Sequence, residues 1–382
     1  MTEILIEDTA RNNLVSWATD AISAKRAEGV VMNAFCSRRD SNGYKPASRA
    51  AADRIRLAGG EVWFMPMTYA AQISGAADFQ HYSTWDLWPG RVGDLSTADA
   101  REKHLTRVFD AQADLETPPL SPSNLLHAPS GADASIYLDL ISAARSMGNA
   151  RAAVLAGTPA FWAGGAELDA FVGAVAEFDI SQWFLTVSRP LSDLPPTWGE
   201  AEVAGLCRTT RSLSEGASVH ISFGDFGALP AVAAGAASIG TGWDGRQKIS
   251  AETLFGPRPD SDGGQWLKRP SVQGLLGYVA RTDIARMFQQ DRPRATALFA
   301  GALHPDQPKQ SFNHHLDVLN AVAGPLGSIR YEARYRLMAT TYGSARIAWA
   351  QFSSTVGVAD ASRYWIDPLE RGLANYGRTE GW

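Results

Sequence analysis

The sequence predicts an α/β fold: a (β/α)8 barrel of the TIM type followed by a C-terminal helical appendage. Three observations carry that reading. Up to residue 250, short β-branched or aromatic runs alternate with stretches of helical period, and seven such runs can be counted. Residues 218–248, SVHISFGDFGALPAVAAGAASIGTGWDGRQK, read as strand, short helix, strand and glycine-rich loop. So short a crossover requires parallel neighbours, with both following loops on one rim. Beyond 250 the runs give way to helical patterns, so the boundaries fall at 1–250 for the barrel and 251–382 for the appendage.

Residues 30–35 (VVMNAF) form the first counted strand, a helix follows over 49–57, and Gly59-Gly60 precedes a strand at 61–67 (EVWFMPM). The aromatic segment 69–93 has no period, and a loop of that length is usually functional. Ser96 and Thr97 then cap a helix carrying Leu105, Val108, Phe109 and Ala113 on one face. A strand at 124–128, a helix at 133–147 and a fully buried strand at 152–156 (AAVLA) come next. Leu168, Phe171, Val172, Val175 and Phe178 mark a helix, 182–187 (QWFLTV) a strand and 200–213 a helix. The last two strands are 219–223 and 236–239, and the eighth is expected in the aromatic loop or near the N-terminus. Residues 253–265 read as loop, and 272–287, 295–303, 314–322, 330–352 and 359–376 as helices.

At 382 residues, with 45% apolar and 20% charged residues, the chain is long enough for a large core. Cys36 and Cys207 cannot build a disulfide framework, and Glu3, Glu7 and Asp8 interrupt the first apolar residues, so no leader is expected and a reducing cytoplasm is the default. No apolar stretch has membrane-spanning length. A net charge of −5 gives no sequence-wide footprint for nucleic acid. No cofactor is called for, and no HxH or HExxH spacing supports a metal.

Candidate site residues cluster on the expected rim. Asp225 and Asp244 follow adjacent strands and suit acid, base or nucleophile roles, although Asp225 would equally cap a short helix and Asp244-Gly245 would equally be a turn. Arg246 suits an anion or, alternatively, a salt bridge to Asp244. Gly224, Gly240, Thr241, Gly242 and Trp243 offer backbone donors and close approach to a phosphate, or simply tight helix–strand packing. His127, near a strand end, is the best general-base candidate among the histidines, ahead of His220, His314 and His315. In the aromatic loop Phe79, Tyr82, Trp85 and Trp88, with His81, Ser83 and Asp86, would wall a planar ring, with Thr68 and Tyr69 beneath; the same aromatics would also suit a packed lid or a subunit contact.

From residue 152 to 322 the order of elements resembles the tRNA-guanine transglycosylase family. The carriers are the strand, glycine turn and helix of 152–178 leading to Asp179-Ile180, the strand and helix exit of 218–237, Arg246 where the family's Pro-Thr-Arg loop has its arginine, and His314-His315-Leu316 beside the family's His-Asn-Leu. That resemblance implies a (β/α)8 barrel binding a purine-like base or nucleotide at its C-terminal rim. Departures limit it: Gly240 stands at the family's nucleophilic aspartate, the second aspartate's place falls near Pro66 or Met67, and two cysteines cannot supply the zinc site. The expected function is therefore a transglycosylase-like protein, divergent or silent in catalysis, alone or as a homo-oligomer or subunit of a larger assembly. The alternative is a phosphate-binding barrel enzyme: a lyase, isomerase or flavoenzyme.

Overall fold

The computed structural model describes residues 2–39, 46–73, 76, 80–148, 150–255, 269–299 and 307–382. Parallel strands occupy the eight positions of a barrel: β1 (Glu3–Asp8), β2 (Gly29–Asn33), β3 (Glu61–Met65), a broken fourth made of β4 (Leu120–Ser121) and β5 (Leu125–Leu126), β6 (Ala152–Gly157), β7 (Gln182–Arg189), β8 (Ser218–Ser222) and β9 (Ser238–Thr241). The ladder runs β3-β2-β1-β9-β8-β7-β6-β4, with β5 also on β6. First strand therefore pairs with last, Glu3 opposite Ser238 and Ile6 opposite Thr241. The missing strand is β1, at the N-terminus.

β3 and β4, the two ends of the ladder, lie side by side. One side chain stitches them. Gln112, buried on helix Ala98–Asp114, donates from Nε2 to the Phe64 carbonyl of β3 (3.2 Å) and the Leu120 carbonyl of β4 (3.0 Å), while its Oε1 accepts from the Leu120 N–H (3.0 Å). Thr97 starts that helix by accepting from the Ala100 N–H, as its sequence predicts. Gln112→Leu keeps the volume but strands buried peptide groups, and should cost about 1–3 kcal/mol in urea unfolding; an unchanged midpoint would mean that the seam does not depend on this amide.

Register fixes what faces inward, because paired residues in a parallel ladder point to the same side. Trp63 of β3 meets Phe184 of β7 at 5.0 Å although those strands are not neighbours, so both point into the barrel. Phe184 is opposite His220, and Thr186 opposite Ser222. The lower interior is apolar, with Leu5, Val31 and Val154 buried. Towards the carboxyl ends it turns polar: Glu7, Asn33, Thr186, Ser188 and Ser222 are all buried.

Helices surround the barrel, and Gly235, at φ +129°, ends the short crossover helix Leu229–Ala234. Beyond it, β10 (Ser250–Ala251) adds to the end of β7 at Ser188 and Arg189. The expected helix over 272–287 is shorter. β11 (Ser271–Val272) and β12 (Gly277–Tyr278) form an antiparallel pair, Leu276 is left-handed at φ +46°, and the helix spans Arg281–Gln290. Gly277 sits under the Trp365 ring, where a Cβ would come within 2.4 Å of Cζ2. Helices Arg292–Leu298, Pro308–Ala323, Tyr331–Val356 and Ser362–Thr379 complete the appendage, the last packed on barrel helix Glu200–Leu213. Most of the loop expected at 253–265, and the end of the helix expected at 295–303, lie outside the described residues. No described helix is long and apolar enough to cross a membrane.

Candidate functional site

The barrel mouth holds a layer of buried polar side chains that are incompletely satisfied. Among the described residues, Glu7 Oε2, Asn33 Nδ2, Ser188 Oγ and Ser222 Oγ have no hydrogen-bond partner. Buried polar groups are normally paired, so a concentration of exceptions calls for a reason. Their place does as well, since the carboxyl ends of barrel strands are where such folds build sites.

Glu7 is the one titratable side chain of these four. Its Oε1 accepts from the Phe223 N–H at 3.2 Å and lies 3.5 Å from His220 Nε2. Burial pushes its carboxyl well above the usual range, and the Phe223 N–H opposes that only in part. Glu7 is thereby held towards its protonated form, with Oε1 accepting from the backbone and Oε2 unpartnered. Burial also holds the His220 imidazole down at about 3, so that ring is neutral, with Nδ1 2.9 Å from Ser238 Oγ. Tyr69 reaches in from the aromatic segment. Its hydroxyl is 2.9 Å from Ser250 Oγ and faces Thr186, and burial keeps it protonated.

Gly240 explains how the carboxyl comes to be there. A Cβ at 240 would lie 2.4 Å from Glu7 Oε1, 2.8 Å from the Phe223 nitrogen and 3.0 Å from His220 Nε2. The space a side chain on the last strand would occupy is filled by Glu7 from the first.

A second polar cluster lies on the other side of β9, between barrel and appendage. Asp225 Oδ2 accepts from Thr241 Oγ1 (2.9 Å) and Tyr278 Oη (2.6 Å), and Oδ1 accepts from the Phe226 N–H (2.6 Å). Lys248 Nζ donates to Tyr278 Oη at 2.7 Å and is 3.6 Å from Asp225 Oδ2. His315 Nε2 is 2.9 Å from Thr241 Oγ1, and Ser271 Oγ is 2.7 Å from its Nδ1. Because Thr241 gives its proton to Asp225, the network has His315 Nε2–H donating to Thr241. Burial alone would raise the Asp225 carboxyl, but His315, Lys248 and the hydrogen bonds hold it far below the carboxylate range. Burial lowers Lys248 and His315.

The residues singled out from sequence fall in several places. Gly240 and Tyr69 belong to the mouth; Asp225, Gly224 and Thr241 belong to the second cluster. Asp244 caps the turn Gly245–Gln247 and pairs with Arg11, while Arg246 stands over the Phe35 ring at 5.2 Å; the expected Asp244–Arg246 salt bridge gives way to these. Gly242 packs on Gln247, whose Oε1 accepts from the Trp243 N–H at 2.7 Å, and Trp243 packs edge-on against Trp17. His127 is exposed and 3.0 Å from Asp133. Thr68 donates to the Ser123 carbonyl. Trp85 is buried against Phe64 with its N–H on the Cys36 carbonyl, and Asp86 is exposed and paired with Arg107. Of the other loop aromatics, Tyr82 bonds the Met67 carbonyl and Trp88 stacks on His104 at 3.8 Å. Phe79 lies outside the described residues, as do the side chains of His81 and Ser83.

Glu7, Asp8, Lys248 and Tyr278 were not foreseen. Asp8, at the end of β1, is raised to about 6 by burial, with Arg11 opposing and Asp244 adding to the shift. The signal for Glu7 was present: in EILIED the acids at 3 and 7 fall on one face at strand period. Among the described residues no group of three or more His, Cys, Asp or Glu is placed to hold a metal.

No family model matches this chain, and no curated protein does. Solved structures similar to it include a Thermobacillus composti GH10 xylanase (10% identity, 58% of this chain and 67% of that one, TM-score 0.32). Another is a xylose isomerase-like TIM barrel/4-hydroxyphenylpyruvate dioxygenase fusion protein (12%, 94% and 46%, 0.31), less than half of which the chain spans. A third is a D-allulose 3-epimerase from Methylomonas sp. (11%, 63% and 85%, 0.32).

Proposed function

We propose that this chain is a barrel enzyme that binds a small, uncharged, hydroxyl-bearing molecule in the mouth and acts on it by proton transfer, with Glu7 as the acid. The observation that carries this reading is the Glu7 carboxyl, buried and with Oε2 unpartnered in a layer of other unpartnered donors and acceptors, where burial raises its pKa. Asn33 Nδ2, Ser188, Ser222 and Tyr69 would orient the ligand's hydroxyls; each serine or tyrosine hydroxyl both gives and takes a hydrogen bond. Glu7 would give its proton to a leaving or carbonyl oxygen, the step common to lyases and isomerases. Among the described residues near the mouth, Arg189 pairs with Glu202, Lys248 with Tyr278 and Asp225, and Arg11 with Asp244, while Arg246 stands over the Phe35 ring. That favours a neutral ligand over the phosphate expected from the glycine-rich loop.

Thermal shift tests this with two probe sets, neutral sugars and polyols on one side and inorganic or sugar phosphates on the other. A neutral probe should stabilise the protein by mass action, and Ser222→Ala or Asn33→Ala should abolish the gain. Stabilisation by phosphate that disappears in Arg246→Ala would overturn the reading.

Base exchange of the transglycosylase kind is a second reading, favoured by one observation: the carboxyl that fills the place of a residue-240 side chain belongs to Glu7. Glu7 would then be the nucleophile and would have to ionise when ligand binds. A pentosyl adduct on Glu7, detected by mass spectrometry of the denatured protein after incubation with a nucleoside, would favour this reading over the first.

A further inference from the structure

We propose that Asp225 and Tyr278 are positioning residues for Glu7: they fasten the turn 223–225 so that the Phe223 N–H points into the mouth and binds the Glu7 carboxyl. The inference rests on the reading of Glu7 as the acid of the mouth.

The turn is strained. Phe223 has φ +52° and Asp225 φ +46°, both left-handed, with Gly224 at φ −83° between them. For residues with a side chain the left-handed region is unfavourable, and such strain persists only where surrounding contacts enforce it. Here those contacts converge on one carboxylate. Asp225 takes hydrogen bonds from Thr241 on the barrel side and Tyr278 on the appendage side. Tyr278 is itself held by Lys248 and by ring contacts with Phe226 (5.6 Å) and His315 (5.7 Å).

What the strain achieves lies two residues upstream. With Phe223 left-handed, its N–H reaches Glu7 Oε1 at 3.2 Å, over the space that Gly240 leaves open. A fixed backbone dipole at that oxygen stabilises the carboxylate left after proton donation, the same physics as a preorganised donor at a developing oxyanion. Burial without this donor would leave Glu7 protonated but reluctant to give the proton up. The appendage therefore sets the acid's strength through a turn rather than by touching the ligand.

Tyr278→Phe keeps the ring contacts and removes the hydroxyl. Difference infrared spectroscopy against Glu7→Gln isolates the protonated Glu7 carbonyl band, and amide exchange reads Phe223. In Tyr278→Phe the band should move to higher frequency, because Oε1 has lost its donor, and Phe223 exchange should quicken about tenfold, the equivalent of one hydrogen bond of about 1.4 kcal/mol. A folded Tyr278→Phe protein whose band and Phe223 exchange match the unmutated protein would overturn the inference and leave these residues only a structural role. Should that variant not fold, Thr241→Val removes the other hydroxyl on Oδ2 and is read by the same two outcomes. The two proposals fail differently: with no protonated band in the unmutated protein the acid reading falls, whereas a band present but unmoved in the variants removes only this inference.

Discussion

Asp225→Ala should cost about 3–5 kcal/mol of stability at neutral pH, the usual consequence of removing one partner from a buried ionic network. The substitution leaves the Lys248 ammonium, 8% exposed, beside two hydroxyls that have lost their acceptor, Thr241 and Tyr278. Lys248→Met added to Asp225→Ala should recover a large part of the loss, because the uncompensated charge goes with it; additive costs for the two changes would contradict the ion-pair account. The pH dependence follows from the sign of the shift. Asp225 has its folded pKa below the unfolded value of 3.8, so its contribution is present above that value and is lost as pH falls through the folded one. Urea midpoints of the unmutated protein and Asp225→Ala should therefore converge in acid.

Glu7→Gln should behave in the opposite way. The Glu7 pKa is raised on folding, so the native state holds a proton that the unfolded chain releases above about 4.5. Its stabilising contribution is complete below that value and is lost as pH rises towards the folded pKa. Glutamine has the same shape and does not titrate. The variant should gain on the unmutated protein by about 1.4 kcal/mol per pH unit from pH 4.5 upward, until the native carboxyl ionises. Activity should go in the other direction, since the amide has no acidic proton to give. A gap between the two proteins that does not change with pH would mean that Glu7 is ionised in the folded state.

The parts of the barrel legible in the sequence were those where the periodicity of a strand or helix is local. Residues 152–156 and 182–187 are apolar runs because their strands are covered on both faces, and 200–213 is a helix with the predicted ends. β1 is one of the two places left open for the eighth strand, and the reason it did not stand out is also its interest: Glu7 and Asp8 interrupt the apolar run, and Glu7 is an interior residue of the mouth. Gly240 could be singled out from the sequence, but the carboxyl beside it, Glu7, stands 233 residues earlier in the chain, on a strand that only barrel closure brings alongside. The second cluster was half legible. Asp225 follows β8 and Thr241 ends β9, the next strand, whereas Tyr278 and His315 arrive from β12 and helix Pro308–Ala323, and no local pattern links them to the rim. Asp244 and Arg246 show the converse: a spacing of two suggested a pair, yet the fold gives Asp244 to Arg11.

A neutral carboxylic acid in the barrel mouth is the claim on which the proposed chemistry depends. Carbon-13 NMR of protein labelled at glutamate carboxyls reads it directly, with the Glu7 resonance assigned by its loss in Glu7→Gln. This resonance should keep its protonated position from pH 4 through neutrality while exposed glutamates titrate near their ordinary value of about 4.3. A Glu7 signal that moves with the exposed set would contradict it.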